Sequence, residues 1–199
     1  MRTDILVTGF EPFGQESLNP AQLLMEAVQD QVHTCLLPTS YTRSIETLYS
    51  VLEQLRPRIV LCLGQAGGRS AMTLERIGIN WMEASIPDND GCLMRGQLID
   101  PLGPGGYLST LDLAGLLQVL REAGIAAQIS LSAGTFVCNR VLYGALHWAA
   151  MHHPSMQAGF LHVPFLPEQV VDKPDKPAME FSRMLQGVQA LLQAVKTYT

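Results

Sequence analysis

The first third of the chain alternates between short apolar runs and apolar stripes at helical spacing. The runs predict buried strands at residues 5–9, 35–38 and 58–63. The stripes between them predict two helices, and the first opens with Asn19 as N-cap and Pro20 at the first helical position. This strand, helix, strand, helix, strand order is typical of a parallel sheet with helices packed on it.

The remaining two thirds continue this alternation. Strict apolar and polar alternation over residues 73–81 predicts one strand, and one of its faces carries Thr73, Glu75, Ile77, Ile79 and Trp81. The stretch 87–104 is dense in Pro, Gly, Asp and Asn, which predicts a functional loop or a small excursion. Further helices are predicted at 111–124, 138–152 and 179–195, and further strands at 125–132 and 159–163. Because no repeat or linker interrupts the pattern, we expect one domain over residues 1–199.

Composition and charge narrow the function classes. Apolar residues make up 47% and charged residues 16% of the 199, which excludes a disordered chain. Thirteen basic against 18 acidic residues give a net charge of −5 without runs of like charge, so neither nucleic acid nor an anionic membrane is an expected partner. No apolar stretch approaches the roughly 18 residues of a membrane span, and no cleavage site follows the N-terminus, so we expect a cytoplasmic protein. The four cysteines lack any C-x-x-C spacing and are expected to be thiols: Cys35, Cys62, Cys92 and Cys138.

Cys138 is a candidate nucleophile because of its place in the predicted order. It follows a strand and a Ser-Ala-Gly turn and lies near the start of a helix. The positive end of a helix dipole favours the thiolate, and sites in open α/β sheets gather at the carboxyl ends of strands. The alternative is a small buried hydrophobe, which is the usual role of a free cysteine.

Glu75 and His162 are candidates for the same site. A carboxylate on an apolar strand face needs a donor, which could be a catalytic histidine or, alternatively, an ion pair with an arginine such as Arg69. His162 lies within an apolar run at a strand end, where a satisfied core histidine is the alternative. Together with Cys138, these residues would form the nucleophile, base and orienting group of a cysteine hydrolase.

Eight segments, in order and with compatible gaps, carry a family resemblance. They are TGFEPFG at 8–14, NP at 19–20, GQAGGR at 64–69, ERI at 75–77, IPDN at 86–89, STL at 109–111, SAGTFVCN at 132–139 and HVPFLPEQ at 162–169. From residue 5 to about 172, the chain resembles the pyroglutamyl peptidase I family. That family consists of cytoplasmic cysteine peptidases, often tetrameric, with a three-layer α/β/α fold of the phosphorylase/hydrolase-like kind and a mostly parallel, mixed sheet. They remove an N-terminal pyroglutamyl residue from peptides.

The resemblance implies roles for three residues and an oligomer. Cys138 would be the nucleophile, His162 the general base and acid, and Glu75 the residue that orients the imidazole. No metal or cofactor would take part, and the protein would be a dimer or tetramer of identical chains. The partners would be peptides that begin with pyroglutamate.

The resemblance also implies a pocket for the lactam ring. Phe10 and Phe13 would flank the ring, and the Gln65 backbone would hydrogen-bond it. The pocket would be completed by Ile86, Phe136 and Val137. A flat neutral lactam suits aromatic walls with a few backbone groups, which agrees with these residue types.

One position departs from the family pattern. The family usually has an arginine just before the Ile-Pro-Asp-Asn segment, near the scissile carbonyl, and this chain has Ser85 there. Loss of a charged donor at that place predicts weaker stabilisation of the transition state.

Three other readings compete with a cysteine peptidase. A metal hydrolase would need more than the isolated pair His152-His153, since there is no H-E-x-x-H motif. A nucleotide site at 64–69 would lack both G-x-G-x-x-G and the P-loop lysine. A catalytically weakened α/β protein that binds a small lactam-like or peptide ligand is the alternative from another class, because fold does not fix function.

Overall fold

Residues 4–197, which the computed structural model describes, contain ten strands and five α-helices. The strands are β1 (Ile5–Phe10), β2 (His33–Leu37), β3 (Ile59–Gln65), β4 (Met72–Glu75), β5 (Ile77–Ile79), β6 (Met82–Glu83), β7 (Arg95–Gln97), β8 (Gly106–Leu108), β9 (Ala127–Ser130) and β10 (Gln157–Val163). The helices are α1 (Pro20–Ala27), α2 (Arg43–Leu55), α3 (Leu113–Glu122), α4 (Val137–His152) and α5 (Phe181–Val195). All five helices confirm segments predicted from the sequence.

Six of the described strands form the central sheet, in the order β2-β1-β3-β10-β4-β9. Neighbours in this sheet are parallel except β10 and β4, which are antiparallel. The sheet is therefore mixed and mostly parallel. The strand pairs β5 with β8 and β6 with β7 form two small antiparallel sheets of their own.

Helices cover both faces of the central sheet. Alternate strand residues point to opposite faces, so Ile5 and Val7 of β1 pack with α1, α3 and α5, whereas Leu6 packs with α2 and α4. Two separate apolar cores result, one on each face, and the three-layer α/β/α architecture is confirmed. On β10, Phe160 lies on the α2 and α4 side, and His162 follows it two residues later on that side.

Helix α1 shows how a local signal fixes an element's start. The Asn19 side chain accepts a hydrogen bond of 3.0 Å from the backbone N–H of Ala21, and Pro20 occupies the first helical position, as predicted. Asp112 caps α3 in the same way, accepting from the N–H of Gly115 at 3.1 Å.

The prediction of one continuous strand over residues 73–81 is wrong. The chain leaves the central sheet at Arg76 and enters a different sheet as β5. The N–H of Arg76 donates to the Ser130 carbonyl at 2.8 Å, and its own carbonyl accepts from the Ser109 N–H at 2.8 Å. Because the strand changes partners at this residue, Glu75 does not share a sheet face with Ile77, Ile79 and Trp81.

The stretch 87–104 is a small excursion that contains β7 and returns to pair with β6. Gly78 shows how closely the adjoining β5 approaches α4, since a Cβ there would lie 2.8 Å from the backbone nitrogen of Tyr143.

Among residues 4–197, no helix has both the length and the apolar character needed to cross a membrane.

Candidate active site

An imidazole and a carboxylate meet on the face of the sheet that α4 covers. His162 is on β10 and Glu75 ends β4, and His162 Nδ1 lies 2.7 Å from Glu75 Oε1. The two residues are 3% and 0% exposed. Because β4 runs antiparallel to β10, the carboxyl ends of these two strands point in opposite directions.

Glu75 also forms an ion pair with Arg69, whose Nη1 contacts the same Oε1 atom. Nη1 contacts the Thr73 hydroxyl as well, and Nη2 donates to the Ser132 carbonyl at 3.1 Å. The sequence left an ion pair and a histidine contact as alternatives for Glu75. The structure shows both at once.

The surroundings of Glu75 and His162 determine the protonation state of each side chain. Burial alone would raise the pKa of Glu75, but the hydrogen bonds from His162, Ser130 and Arg69 lower it overall. Burial lowers the pKa of His162 below its ordinary value although Glu75 opposes this. At neutral pH the carboxylate is therefore ionised and the imidazole neutral. An ionised carboxylate only accepts, so Nδ1 carries the proton and Nε2 is left with a free lone pair.

Cys138 is the second residue of α4 and lies over the sheet beside this pair. Gly64 of β3 is the register neighbour of His162, and a Cβ added to Gly64 would lie 3.0 Å from Cys138 Sγ and 2.6 Å from the Phe160 ring. Glycine at this position leaves the space that the thiol occupies. Cys138 as a whole residue is partly exposed, unlike Cys62, which is buried on the same strand as Gly64.

The surroundings of Cys138 favour the protonated thiol at rest, whereas the dipole of α4 by itself favours the thiolate. Burial, with a smaller contribution from the Glu75 carboxylate, raises the pKa of Cys138 to about 12, and Arg69 opposes this increase. Loss of hydration and a nearby negative charge both disfavour the thiolate. A base must take the proton when the sulfur attacks. All four cysteines lie within the described residues and are free thiols, as predicted.

The start of α4 supplies hydrogen-bond donors next to the thiol. Phe136 precedes the helix and makes no side-chain cap. Among residues 4–197, the first hydrogen bond of the helix runs from the Arg140 N–H to the Phe136 carbonyl at 3.3 Å, so the N–H groups of Val137 and Asn139 have no acceptor within the helix. The Cys138 N–H lies against its own sulfur. Unpaired N–H groups at a helix start can stabilise an oxyanion.

Two of the predicted pocket residues meet in the structure. The Phe13 and Phe136 rings have centroids 5.8 Å apart. Tyr41, which the sequence analysis missed, packs edge-on against Phe136 at 5.5 Å. The partly exposed Phe13 and Phe136 rings, with the buried Tyr41 ring behind Phe136, form an apolar wall close to Cys138.

The other predicted pocket residues lie deeper. Phe10 is 2% exposed and packs against Phe160 with centroids 6.3 Å apart. The Gln65 side chain is buried and accepts a hydrogen bond of 2.8 Å from Gln169. Val137 is fully buried in the core beneath α4. Contact of these three residues with a bound ring stays a prediction.

An open groove of about 340 Å³ adjoins the Phe136 ring. Ile86, 42% exposed, and Ser85 line this groove together with Phe136. The remaining lining residues are Glu83, Ala84 and Thr135. Ser85 therefore lies beside residues implied to hold the substrate.

The turn after Ile86 ties the loops of the site together. Asp88, 5% exposed, accepts the N–H of Tyr41 at 2.8 Å. Asn89 donates from its side chain to the Pro12 carbonyl at 2.9 Å, and its N–H donates to the Thr39 carbonyl at 2.9 Å. The sequence analysis gave these residues no role, although a buried Asp in a turn signals backbone N–H partners.

The glycine-rich loop 64–69 has structural requirements that explain its composition. Gly68 has φ +93°, which side chains rarely adopt, and a Cβ at Gly67 would lie 2.2 Å from the Phe165 ring. Among the described residues, no group of three or more His, Cys, Asp and Glu side chains is placed to hold a metal ion. Neither feature favours the nucleotide or metal alternatives.

Comparisons with known proteins agree on one family. The family model for pyroglutamyl peptidase matches residues 3–198. A pyrrolidone-carboxylate peptidase from Brevibacillus brevis is 42% identical over 198 residues, which cover 95% of this chain and 91% of that protein.

Solved structures agree with this match. The crystal structure of pyroglutamyl peptidase I from Bacillus amyloliquefaciens is similar with a TM-score of 0.94 at 33% identity, covering 100% of this chain and 97% of that one. Pyrrolidone carboxyl peptidase from Pyrococcus furiosus is similar with a TM-score of 0.92 at 38% identity, covering 96% of each chain.

Proposed function

Since this chain belongs to the pyroglutamyl peptidase family and is a cysteine peptidase that removes N-terminal pyroglutamyl residues, we propose that Cys138, His162 and Glu75 carry out its reaction. The observation that supports these roles most directly is the buried pair of His162 Nδ1 and Glu75 Oε1 at 2.7 Å, beside the Cys138 thiol. A non-catalytic lactam-binding protein is not favoured by the family.

In the first half of the reaction Cys138 Sγ attacks the scissile carbonyl carbon while its proton moves to His162 Nε2. The transfer accompanies the attack because burial raises the pKa of the resting thiol to about 12. The N–H groups at the start of α4 stabilise the oxyanion. When the C–N bond breaks, His162 returns the proton to the departing amine, and a thioester of pyroglutamate remains on Cys138.

In the second half water attacks the thioester carbon. His162 Nε2 takes a proton from the water, and the C–S bond breaks to release pyroglutamate. The sulfur recovers the proton from His162, which restores the resting thiol. Each proton has an acceptor within the chain, so we propose a cycle that uses no metal or cofactor.

We propose that the lactam ring lies against the Phe13 and Phe136 rings. Phe10, Gln65, Ile86 and Val137 complete the pocket. This placement of the ring is supported by the apolar wall and by the groove that Phe136 lines, two residues before Cys138 in the chain. An aromatic wall suits a neutral ring that has no free amine.

We further propose that residues 1–199 form a single peptidase domain that acts in the cytoplasm as a homo-oligomer, a dimer or tetramer. The continuous sheet and two cores support one domain. The family resemblance of the sequence supports the location and the oligomer. Light scattering coupled to gel filtration tests the oligomeric state.

Release of a chromogenic amine from its pyroglutamyl conjugate tests the proposed function. The matched conjugate of glutamate, which has a free amine in place of the lactam, is the control. Hydrolysis of the pyroglutamyl conjugate alone supports the proposal. Equal rates on both conjugates, or no hydrolysis of either, contradict it.

The fall of kcat/KM at acid pH should follow the protonation of His162. His162 must be unprotonated to act as a base, and its pKa lies below the ordinary 6.5 because of burial. We expect kcat/KM on a pyroglutamyl substrate to be retained at pH 6.5 and to fall only when the pH drops through the lower pKa of the folded protein. A limb with its midpoint above pH 6.5 contradicts this assignment.

Ser85→Arg should increase turnover. Restoring a charged donor beside the groove adds stabilisation of the developing oxyanion, and one such donor is worth about 100-fold in kcat. KM should change little because the interaction is made in the transition state. Steady-state kinetics measure both constants.

Two variants control for side effects of that change. Ser85→Ala removes only the hydroxyl, and Ser155→Arg adds the same charge at an exposed loop before β10. Both should leave kcat within about twofold of the parent value. A neutral or harmful Ser85→Arg shows that position 85 does not face the reacting carbonyl.

A further inference from the structure

Arg69 contacts two chain segments that carry the reaction. We propose that Arg69 is a positioning residue of the peptidase site, whose guanidinium holds the Glu75 carboxylate and the turn before Cys138 in one fixed arrangement. This inference rests on the proposed function. It gives a role in the reaction to an arginine that the sequence suggested only as an ion-pair partner.

The guanidinium bridges strand β4 and the segment after β9 through different nitrogens. Nη1 contacts Glu75 Oε1 and the Thr73 hydroxyl on β4. Nη2 donates at 3.1 Å to the carbonyl of Ser132, in the segment that leads from β9 to Cys138. One side chain therefore connects the residue that orients His162 with the segment that carries the nucleophile.

The backbone of Arg69 is itself anchored beside His162. Its N–H donates to the Ala66 carbonyl at 3.3 Å, and the N–H of Ala66 donates to the Val163 carbonyl at 2.9 Å. The Arg69 side chain is 28% exposed, whereas that of Glu75 is fully buried. The guanidinium thus enters the site from an immobilised loop at its rim.

A guanidinium fits this task better than an ammonium. Its planar fork places donors on separate nitrogens, which can reach a carboxylate and a carbonyl at the same time. A lysine would keep the positive charge near Glu75 but could not bridge both acceptors in that geometry. Charge and bridging can therefore be separated by substitution.

The charge of Arg69 also acts on the imidazole. The titratable and charged groups around His162 are Glu75, Arg69 and Cys138. Burial lowers the pKa of His162 most, Glu75 raises it, and Arg69 lowers it. Removing the positive charge should therefore raise the pKa of His162, while Arg69→Lys should leave that pKa close to the wild-type value.

The experiment compares Arg69→Met and Arg69→Lys with wild type, and Arg183→Met is the matched control. Arg183 is on α5 and donates to the Gly124 carbonyl and to Gln186, away from the site. Steady-state kinetics on the pyroglutamyl conjugate, thermal unfolding, and an NMR pH titration of the His162 ring are measured for each protein.

We expect Arg69→Met to lower kcat by about 100-fold with KM within about twofold, because a misplaced catalytic group costs turnover. The NMR midpoint of His162 should rise in Arg69→Met and stay near wild type in Arg69→Lys. Arg69→Lys should recover only part of kcat, since it restores the charge without the bridge. Arg183→Met should match wild type in kinetics and titration.

Three results would overturn the proposal. One is unchanged kcat and an unchanged His162 midpoint in Arg69→Met. Another is an equal loss in both Arg69 variants that follows their loss of thermal stability, with no shift in the titration. The third is complete recovery by Arg69→Lys, which would leave charge alone as the role. The titration needs no substrate, so it tests Arg69 even where a lack of hydrolysis by wild type would refute the proposed function.

Discussion

Replacing Cys138 by Ala is expected to lower kcat/KM on a pyroglutamyl substrate by about 10⁴-fold or more while the protein remains folded. The sulfur forms the bond to the substrate carbon, and no other group on α4 can replace it. The side chain is small and partly exposed, so its removal leaves the packing of α4 nearly unchanged. Enzyme kinetics and thermal unfolding measure the two effects separately.

Two further variants make the Cys138 result specific. Cys138→Ser keeps a polar atom of similar shape but should be nearly as inactive, because an alkoxide is far harder to form than a thiolate. Cys92→Ala removes an exposed thiol outside the site and should keep full activity. Retention of more than a few per cent of activity in either Cys138 variant, or unfolding of both, would rule out the nucleophile assignment.

His162→Gln should lower kcat by a comparable factor, about 10⁴-fold. Glutamine can still donate a hydrogen bond to Glu75 but offers no basic nitrogen to take the proton of the Cys138 thiol. Because the thiol is protonated at rest, loss of the base removes the attacking species itself. The measurement is kcat at saturating pyroglutamyl substrate, with thermal unfolding as the test of folding.

Two further variants show whether the effect of His162→Gln is specific to the catalytic base. His147→Gln alters another histidine of the α4 layer, one that contacts the Tyr107 hydroxyl at 3.0 Å, and should keep activity. Glu75→Gln should cost roughly 10- to 100-fold less than His162→Gln, since the nucleophile and base both remain. If His162→Gln kept turnover within tenfold of wild type, another group would have to be the base.

Much of the fold follows from patterns that act within a few residues. The strand and helix alternation up to Gln65 and the Asn19 cap appear as predicted, because short buried strands and caps depend on local composition. The break at Arg76 could not be predicted in this way. Apolar alternation continues across it, and only the change of partners, from Ser130 to Ser109, ends one strand and begins another.

The same distinction between local patterns and long-range contacts applies to the candidate site. Motif positions indicated Cys138, His162 and Glu75 and the wall formed by Phe13 and Phe136. The structure places His162 against Glu75 and Phe13 against Phe136. The Cys138 sulfur lies next to Gly64, the strand neighbour of His162. The raised pKa of the Cys138 thiol could not be predicted, because it depends on burial and on the approach of Glu75, which a sequence does not record. Tyr41 was missed for a similar reason, since 95 positions separate it from Phe136.

The protonated thiol of Cys138 has a consequence for covalent inhibition. Peroxides and simple alkylating agents react with thiolates, and a thiol whose pKa is raised to about 12 offers very little thiolate at neutral pH. An aldehyde or chloromethyl ketone built on pyroglutamate is different, because the lactam would hold its electrophilic carbon where His162 can remove the proton. Such an inhibitor should modify Cys138 before the more exposed Cys92, whereas free peroxide should leave Cys138 reduced.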